Sequence, residues 1–488
     1  MAKNASSTTT IYQFLFGSIL LAVFYSALKK MMFGSLRNAK MVAGLTIAIA
    51  VIFWLDVLYW LVLPLSAALT FTIPGLPFNS TEFGCISFLA VHFFRKGLHR
   101  DTPAPLNRDV LIAFPLFLWI AMVFVINPTG LHLYGSTSIG GRFYFQVFIG
   151  FFTMFCLSGL HVDEGQCKLL YRVIFFGILF SIGLALIHPS SLSLITDEGE
   201  FRLTNYKYLI FAPMFVLMMA RYPLDQIFSS PRRLLVTGIA VVGTFVSGKR
   251  AVTAGLFFYP VFRAVITGRN KALTVLMIAL ASLGLMFLVT MDGEYITLPS
   301  SMKRSLAIVV PKYRNAVNVG LHDSFRQIIH RRAKAVVRKH PFLGERGFKM
   351  DLAEIQSILY KNSAGFEGYG MTKSWHGAFY AYAADFGIPC LLFYLVLLTH
   401  IARFSWKQGH CLEEGSFRSA CFLFYSLRVW YTIPTIFTTG HSGITTFDLF
   451  LNYGMMLLLS NGLVPERTMA NTTTMFAIRE NSGFEGYR

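Results

Sequence analysis

Apolar residues in this chain gather into long blocks separated by short polar stretches, and one polar interval is far longer than the rest. The apolar blocks lie near 11–29, 41–63, 81–94, 108–127, 143–160, 169–187, 207–221, 233–249, 251–267, 272–291, 376–402, 417–437 and 445–463. Most are close to the length that a helix needs to cross roughly 30 Å of hydrocarbon. Several of the later ones are short and must lean on neighbours. The stretch 41–76 is long enough for two spans, or for one span and a re-entrant piece, and is broken by Pro64, Pro74 and Pro77. The pattern predicts an all-α polytopic membrane protein of about 12–14 transmembrane helices with one large, partly helical loop. Four regions follow: a helix bundle over 1–291, the loop over 292–373, further transmembrane helices over 374–464, and a cytoplasmic tail over 465–488.

Within the loop the periodicity predicts a helix from Asp323 to His340. Phe325, Ile328, Ile329, Ala333, Val336 and Val337 recur at helical spacing, and Asp323 or Ser324 is placed to cap the start. Arg326, His330, Arg331, Lys334 and Arg338 fill the other face, while Pro341 and Gly344 end the helix. Such a helix is expected to lie on the outer membrane face, apolar side down.

Composition sharpens this picture. The chain is 55% hydrophobic and only 14% charged, where soluble domains carry about 25%. The formal net charge of +19 divides into two parts. Lys29, Lys30, Arg37, Lys40, Arg95, Lys96, Arg100, Arg269 and Lys271 sit in short loops, where positive charge sets topology by staying in the cytoplasm. That orientation puts 292–373 outside, together with the turn Ser247-Gly248-Lys249-Arg250. The basic excess in the loop has no topological reason and points to an anionic partner other than nucleic acid. The six cysteines show neither a metal spacing nor a disulfide framework. The first apolar block precedes its basic cluster, the reverse of a cleavable signal peptide. Asn362–Tyr369 is echoed by Asn481–Tyr487, a repeat with no evident physical reason.

Three polar residues are expected on the outer side at similar depth: Arg250 after the short turn, Arg326 on the loop helix, and His376 where the membrane is re-entered. Taken singly, Arg250 also fits a snorkelling side chain at the membrane edge. Arg326 alone fits a solvated charge, and His376 a satisfied polar group at a helix start. Together they suit displacement at a diphosphate-linked centre. Guanidinium groups stay charged and donate paired hydrogen bonds to phosphate oxygens, and they stabilise a leaving diphosphate most as its charge develops. A histidine titrating near neutrality suits proton removal from an attacking hydroxyl. Asp385 lies nine residues after His376, about half a helical rotation away, so it does not orient His376 within one helix. Asp385 and Asp56 are instead read as partners of basic groups on other spans. No Asp-x-Asp pair occurs, and Glu345, Glu354 and Glu367 are interleaved with bases.

Trp375-His376-Gly-Ala-Phe-Tyr380-Ala-Tyr-Ala-Ala-Asp385-Phe-Gly387-Ile388-Pro resembles the histidine-led segment of the O-antigen ligase and O-antigen polymerase superfamily. His340-Pro341-Phe-Leu-Gly344-Glu-Arg346-Gly347 is similar to the turn that precedes it there. Asp323-Ser-Phe-Arg326, Ser247-Gly-Lys-Arg250-Ala and Phe201-Arg202-Leu-Thr-Asn205 resemble, in order, three further motifs of that family. Gly377 stands where the family often has Asn, and Lys249 is inserted in the Ser–Arg pattern. The resemblance implies a bacterial inner-membrane glycosyltransferase with its active site facing the periplasm. It would act on an undecaprenyl-diphosphate-linked glycan donor, without metal or other cofactor, and invert the anomeric centre. His376 would activate the acceptor hydroxyl while Arg250 and Arg326 hold the diphosphate. Arg202, Arg331 and Arg346 would contribute to substrate binding; Tyr380, one turn after His376, would line the cavity or pack.

A basic loop favours a polymerase of O-antigen or acidic exopolysaccharide. An O-antigen ligase, attaching glycan to a lipid A core of lipopolysaccharide, would share the chemistry and differ in acceptor. Either enzyme needs a glycan or lipid-linked acceptor and the lipid bilayer, and a polymerase also leaves room for a chain-length regulator. From another class, a transporter or flippase of anionic lipid-linked glycans would be expected to show internal repeats, which the spans lack. A membrane scaffold whose basic loop recruits partners is the plainest alternative.

Overall fold

The computed structural model describes residues 59–68, 79–97, 107–127, 142–187, 194–195, 201–202, 211–247, 250–298, 302–303, 306, 310–313, 330–331, 333–345, 377–436 and 442–461. Among these the chain is almost wholly helical. A short 3-10 turn leads into α1 (Val62–Ala68), followed by α2 (Ser80–Gly97). Another 3-10 turn, Arg108–Ala113, runs into α3 (Phe114–Ile126). Then come α4 (Arg142–Ser158), α5 (Glu164–Ile187), α6 (Phe211–Arg221), α7 (Leu224–Phe228), α8 (Pro231–Val246) and α9 (Arg250–Thr267). The series closes with α10 (Lys271–Met291), α11 (Ala378–Gly409), α12 (Phe417–Thr435) and α13 (Ser442–Ser460). Each apolar block from 81–94 onward is thus a helix. The block at 11–29, most of 41–63 and the tail from 465 lie outside the described residues. One departure from all-helical structure is a two-residue hairpin, Leu194–Ile195 paired antiparallel with Phe201–Arg202.

Four helical stretches are long and apolar enough to cross a membrane among the described residues: Arg108–Ile126, Glu164–Gly183, Lys271–Met291 and Ala378–Gly409. In α10 only 6% of the most apolar stretch is buried within the protein. Leu276, Leu280, Leu283 and Phe287 point outward, so this helix needs a hydrocarbon solvent to be stable. The shorter α4, α6 and α9 lean on neighbours, as their length demands.

Glycines set the closest packing. A side chain at Gly454 of α13 would stand 2.8 Å from the Met154 Cα of α4, and one at Gly150 would stand 2.9 Å from the Phe447 ring. These two helices therefore meet backbone to backbone. The entry to α2 is a capping box: the Asn79 amide donates to Glu82 Oε2 at 2.8 Å, and the Glu82 amide donates to Asn79 Oδ1 at 2.7 Å. The other carboxylate oxygen of buried Glu82 accepts from Gln146 Nε2 at 2.5 Å, so a costly acidic group at depth is satisfied.

The helix α11 is two helices in one line. Gly387 has φ 85 and ψ 171, a conformation open to glycine alone, and Pro389 follows. Breaking the ladder frees polar backbone groups that must be paired elsewhere. The Ile388 amide donates to the Pro341 carbonyl at 2.8 Å. The Phe386 carbonyl accepts from Trp119 Nε1 of α3 at 2.9 Å. Both partners come from outside α11, so the break is held by the tertiary fold.

Candidate functional site

The predicted loop helix is present where it is described. Residues 333–339 are helical, His340 N–H donates to Val336 O at 2.8 Å, and Gly344 N–H donates to His340 O at 3.1 Å. Pro341 and Gly344 (φ +64) end it, as the sequence pattern requires. Its first part, 323–329, lies outside the described residues. The described apolar positions of this helix pack on protein, where a membrane surface was expected. Ala333 is fully buried against Ala381 and Ala384, with Val336, Val337 and Tyr380 around them. Small residues at these positions let the loop helix approach α11 closely, and this burial removes the need for lipid. Arg331, Lys334, Arg338 and Lys339 are exposed on the opposite side.

The turn after this helix fits into the α11 break. A Cβ built on Gly344 would collide with the backbone of Asp385 and Phe386, and one on Gly387 with the carbonyl of Phe342. Two sequence motifs some forty residues apart, His340–Gly344 and Asp385–Pro389, are therefore mated surfaces. Their glycines are required by positive φ and by close approach together. Asp385 is 2% exposed at this junction.

The start of α11 is fixed from a second side. The Phe379 amide, an orphan of the first turn, donates to the Ile436 carbonyl at the end of α12 (3.0 Å). Gly377 precedes the helix with φ 102 and ψ 120, which accounts for glycine directly after His376. Tyr380 is partly buried and stacks on His330 of the loop, with ring centroids 4.2 Å apart and planes at 25°. Of the two readings offered for Tyr380, this contact gives it a packing role between loop and helix.

The remaining sequence candidates are placed as follows. Arg250 is the first residue of α9, and α8 ends at Val246 with Ser247 as its cap, whose hydroxyl donates to Thr244 O at 2.6 Å. Gly248, Lys249 and the Arg250 side chain lie outside the described residues. Arg202 is in the small hairpin, again without a described side chain. His376, Arg326 and Arg346 lie outside the described residues. The structure therefore unites the loop helix with the α11 start.

Two features were not anticipated. A recess of about 100 Å³ lies between α11, α12 and α13, lined by Tyr394, Thr432, Thr435, Thr445, Asp448 and Asn452, with Ala378 at one end. Thr445, Asp448 and Asn452 follow spacings of three and four, the signature of one helical face. That pattern was visible in the sequence but was hidden in an apolar block. The second is a groove of about 450 Å³ between α8, α9 and α10. Its walls are almost wholly apolar, including Val241, Phe257, Met277 and Leu288, and Leu298, Met302 and Leu306 from the loop close one end.

The loop begins in a polar knot at that same end. Asp292 is buried and accepts from the Leu298 amide at 2.8 Å and from the Tyr313 hydroxyl at 2.9 Å, with Lys303 Nζ at 3.4 Å. Lys312 Nζ donates to the Asp292 carbonyl at 3.0 Å. Burial opposes the charged carboxylate, but the Leu298 amide, Tyr313 hydroxyl and Lys303 ammonium together outweigh it and hold Asp292 below its usual range. Burial, then the bond to Asp292, pushes the Tyr313 phenol up to about 12. Leu298, Leu306 and Tyr313 pack here against Phe245, Leu285 and Val289, so the loop is anchored at both described ends.

No protein-family model matches the chain, and no curated protein matches it.

Proposed function

We propose that this protein is a periplasmic-face glycosyltransferase that transfers or polymerises glycan from an undecaprenyl-diphosphate-linked donor onto a sugar hydroxyl, inverting and without metal. The observation that carries the reading is the docking of the basic loop helix on the first turns of α11. Ala333 on Ala381 and Ala384, and the Gly344–Gly387 junction, hold Arg331, Lys334 and Arg338 beside the helix that follows His376. A cationic lid next to a histidine-led helix suits a diphosphate leaving group and a hydroxyl nucleophile. The apolar groove that ends under the loop has the chemistry an isoprenoid chain requires.

In this reading His376 takes the proton of the acceptor hydroxyl, whose oxygen attacks the anomeric carbon. The bond to the diphosphate oxygen breaks, and Arg250 and Arg326 take up the charge that develops there. A polymerase of O-antigen or exopolysaccharide is favoured over a ligase by the basic loop. A transporter would use a broken helix to offer free backbone groups to its cargo. At Gly387 the Ile388 amide and the Phe386 carbonyl are taken by Pro341 and Trp119, which favours a structural break over a transport site.

The test is replacement of His376 by Ala, with membrane insertion checked. Loss of polymer or ligated glycan, and accumulation of lipid-linked donor on the periplasmic side, are expected. Normal product amount and length in this variant would refute the proposal, and donor trapped on the cytoplasmic side would favour transport.

A further inference from the structure

The short turn between α9 and α10 gathers positive charge that the transferase reading does not use. Arg263, in the last turns of α9, is partly buried. Among the described residues its side chain makes no hydrogen bond and no ion pair; Asp225 and Glu414 act on it only at longer range. Both carboxylates are engaged elsewhere. Asp225 accepts from Asn270 Nδ2 at 3.0 Å, and Glu414 pairs with Arg269 at 2.8 Å. The Arg263 nitrogens are not among the sealed, unpartnered polar atoms, so an outside group can reach them. An unpaired guanidinium on an apolar helix is costly and calls for an anion.

The start of α10 brings donors to the same place. Asn270, its cap residue, sits in the left-handed region at φ 56 and makes no capping bond, because its side chain is turned to Asp225. The first ladder bond runs from Thr274 N–H to Asn270 O at 2.9 Å. The amides of Lys271, Ala272 and Leu273 are left without an acceptor in the ladder, at the positive end of a 21-residue helix. Arg263, Arg269, Asn270 and Thr274 border one recess, which places the guanidinium beside the uncapped helix start. Lys271 is exposed next to it.

The apolar walls of that recess identify the kind of anion. Met219, Leu224 and Pro260 line both the recess and the 450 Å³ groove between α8, α9 and α10. The groove therefore ends in cations at this turn and beneath the loop at its other end. The recess itself, about 10 Å³, holds about one water, so an anionic group rests at its mouth while an apolar chain runs down the groove. Along α10 the groove extends from Met277 to Leu288, about 16 Å of helix. Another helix over that length, at ~10 Å diameter, would need roughly 1,300 Å³; the groove takes a flexible chain instead. Such a chain exchanges one apolar surrounding for another on leaving the bilayer, so selectivity rests on the headgroup. We propose that this end of the groove binds one anionic phospholipid from the leaflet that the 268–270 turn faces. Its phosphate lies against Arg263, Arg269 and the first amides of α10, and one acyl chain enters the groove. The inference does not rest on the transferase reading, which draws on the loop end of the groove.

The experiment uses the full-length protein, stripped of lipid in detergent and titrated with phosphatidylglycerol or phosphatidylcholine of identical chains. Bound lipid is counted by native mass spectrometry. One phosphatidylglycerol per chain is expected, held about tenfold or more tighter than phosphatidylcholine. Arg263→Gln should weaken phosphatidylglycerol binding by roughly 10- to 100-fold, as loss of hydrogen bonds to a charged group does. Gly238 lines the groove, and an added Cβ there meets nothing within 4 Å. Gly238→Phe should therefore insert without a clash and weaken lipid binding by filling the groove, with Arg263 intact. Equal affinity for the two lipids would overturn the proposal, as would a phosphatidylglycerol preference that survives in Arg263→Gln. Glycerol phosphate binding as tightly as the lipid, unaffected by Gly238→Phe, would show a site for free anions and overturn it too. So would a preference for undecaprenyl phosphate over phosphatidylglycerol, which would give this end of the groove to the donor. If Arg263→Gln fails to fold, the wild-type selectivity and Gly238→Phe still decide the matter.

Discussion

Replacing Gly387 by Ala tests the junction that joins loop to membrane helix. At φ 85 and ψ 171 a residue with a side chain is held where essentially only glycine rests, at a cost of about 1–3 kcal/mol. The new methyl would also meet the Phe342 carbonyl, forcing the turn away and breaking the bond from Ile388 N–H to Pro341 O. That bond contributes about 1 kcal/mol. Together these make docking of the loop helix weaker by about 2–4 kcal/mol, roughly a 30- to 1000-fold rise in the undocked population. Arg331, Lys334, Arg338 and Lys339 are exposed on that helix and are trypsin sites whose cleavage needs local unfolding. When opening is fast relative to cleavage, the rate follows the open population. Limited trypsinolysis in detergent should therefore cut Gly387→Ala within this helix tens to hundreds of times faster than wild type. Cleavage elsewhere should change little. Gly284→Ala is the control: nothing lies within 4 Å of its added methyl, and helix propensity alone favours it by about 1 kcal/mol. Equal cleavage rates for Gly387→Ala and wild type would refute the mated junction.

Trp119→Phe removes the indole N–H that satisfies the Phe386 carbonyl; a Tm below wild type, from about 1–3 kcal/mol of lost stability, would be read by intrinsic fluorescence of the remaining tryptophans. Asp292 has its pKa lowered in the folded protein, so its stabilising effect is present above the unfolded value of about 3.9 and fades as pH falls through the lower folded value. Hydrogen exchange at the Leu298 amide should accelerate below about pH 4 in wild type, and Asp292→Asn should exchange faster at neutral pH without that acid limb. Lys334→Ala with Arg338→Ala should leave Tm unchanged and weaken binding of lipid-linked diphosphate donor, with a shallower salt dependence, measured by donor titration at two ionic strengths.

Helix placement was legible because hydrocarbon and protein interior make the same demand on a stretch of twenty residues: apolar side chains and an internally paired backbone. Hence α2 to α6 and α8 to α13 fall on the apolar blocks, and Pro341 with Gly344 ends the loop helix where expected. The break in α11 was carried by Gly387, Ile388 and Pro389, yet the block 376–402 reads as one span. A Gly–Pro pair permits a break; only Pro341 and Trp119, from distant segments, make one cheap. Asp448 escaped notice for a related reason. One acidic residue scarcely alters the hydropathy of its block, and its neighbours Tyr394 and Thr432 belong to other helices.

The sequence by itself determined that this chain is helical, that it carries helices fit for a membrane, and that a basic amphipathic helix lies in its long polar interval. These are local properties, set by side-chain chemistry repeated at a helical period. What that helix covers was decided by tertiary structure. An apolar face satisfies equally well against lipid or against protein, because the hydrophobic effect has no direction. Shape chose between them: Ala333 finds Ala381 and Ala384, and two glycines bring their backbones into contact.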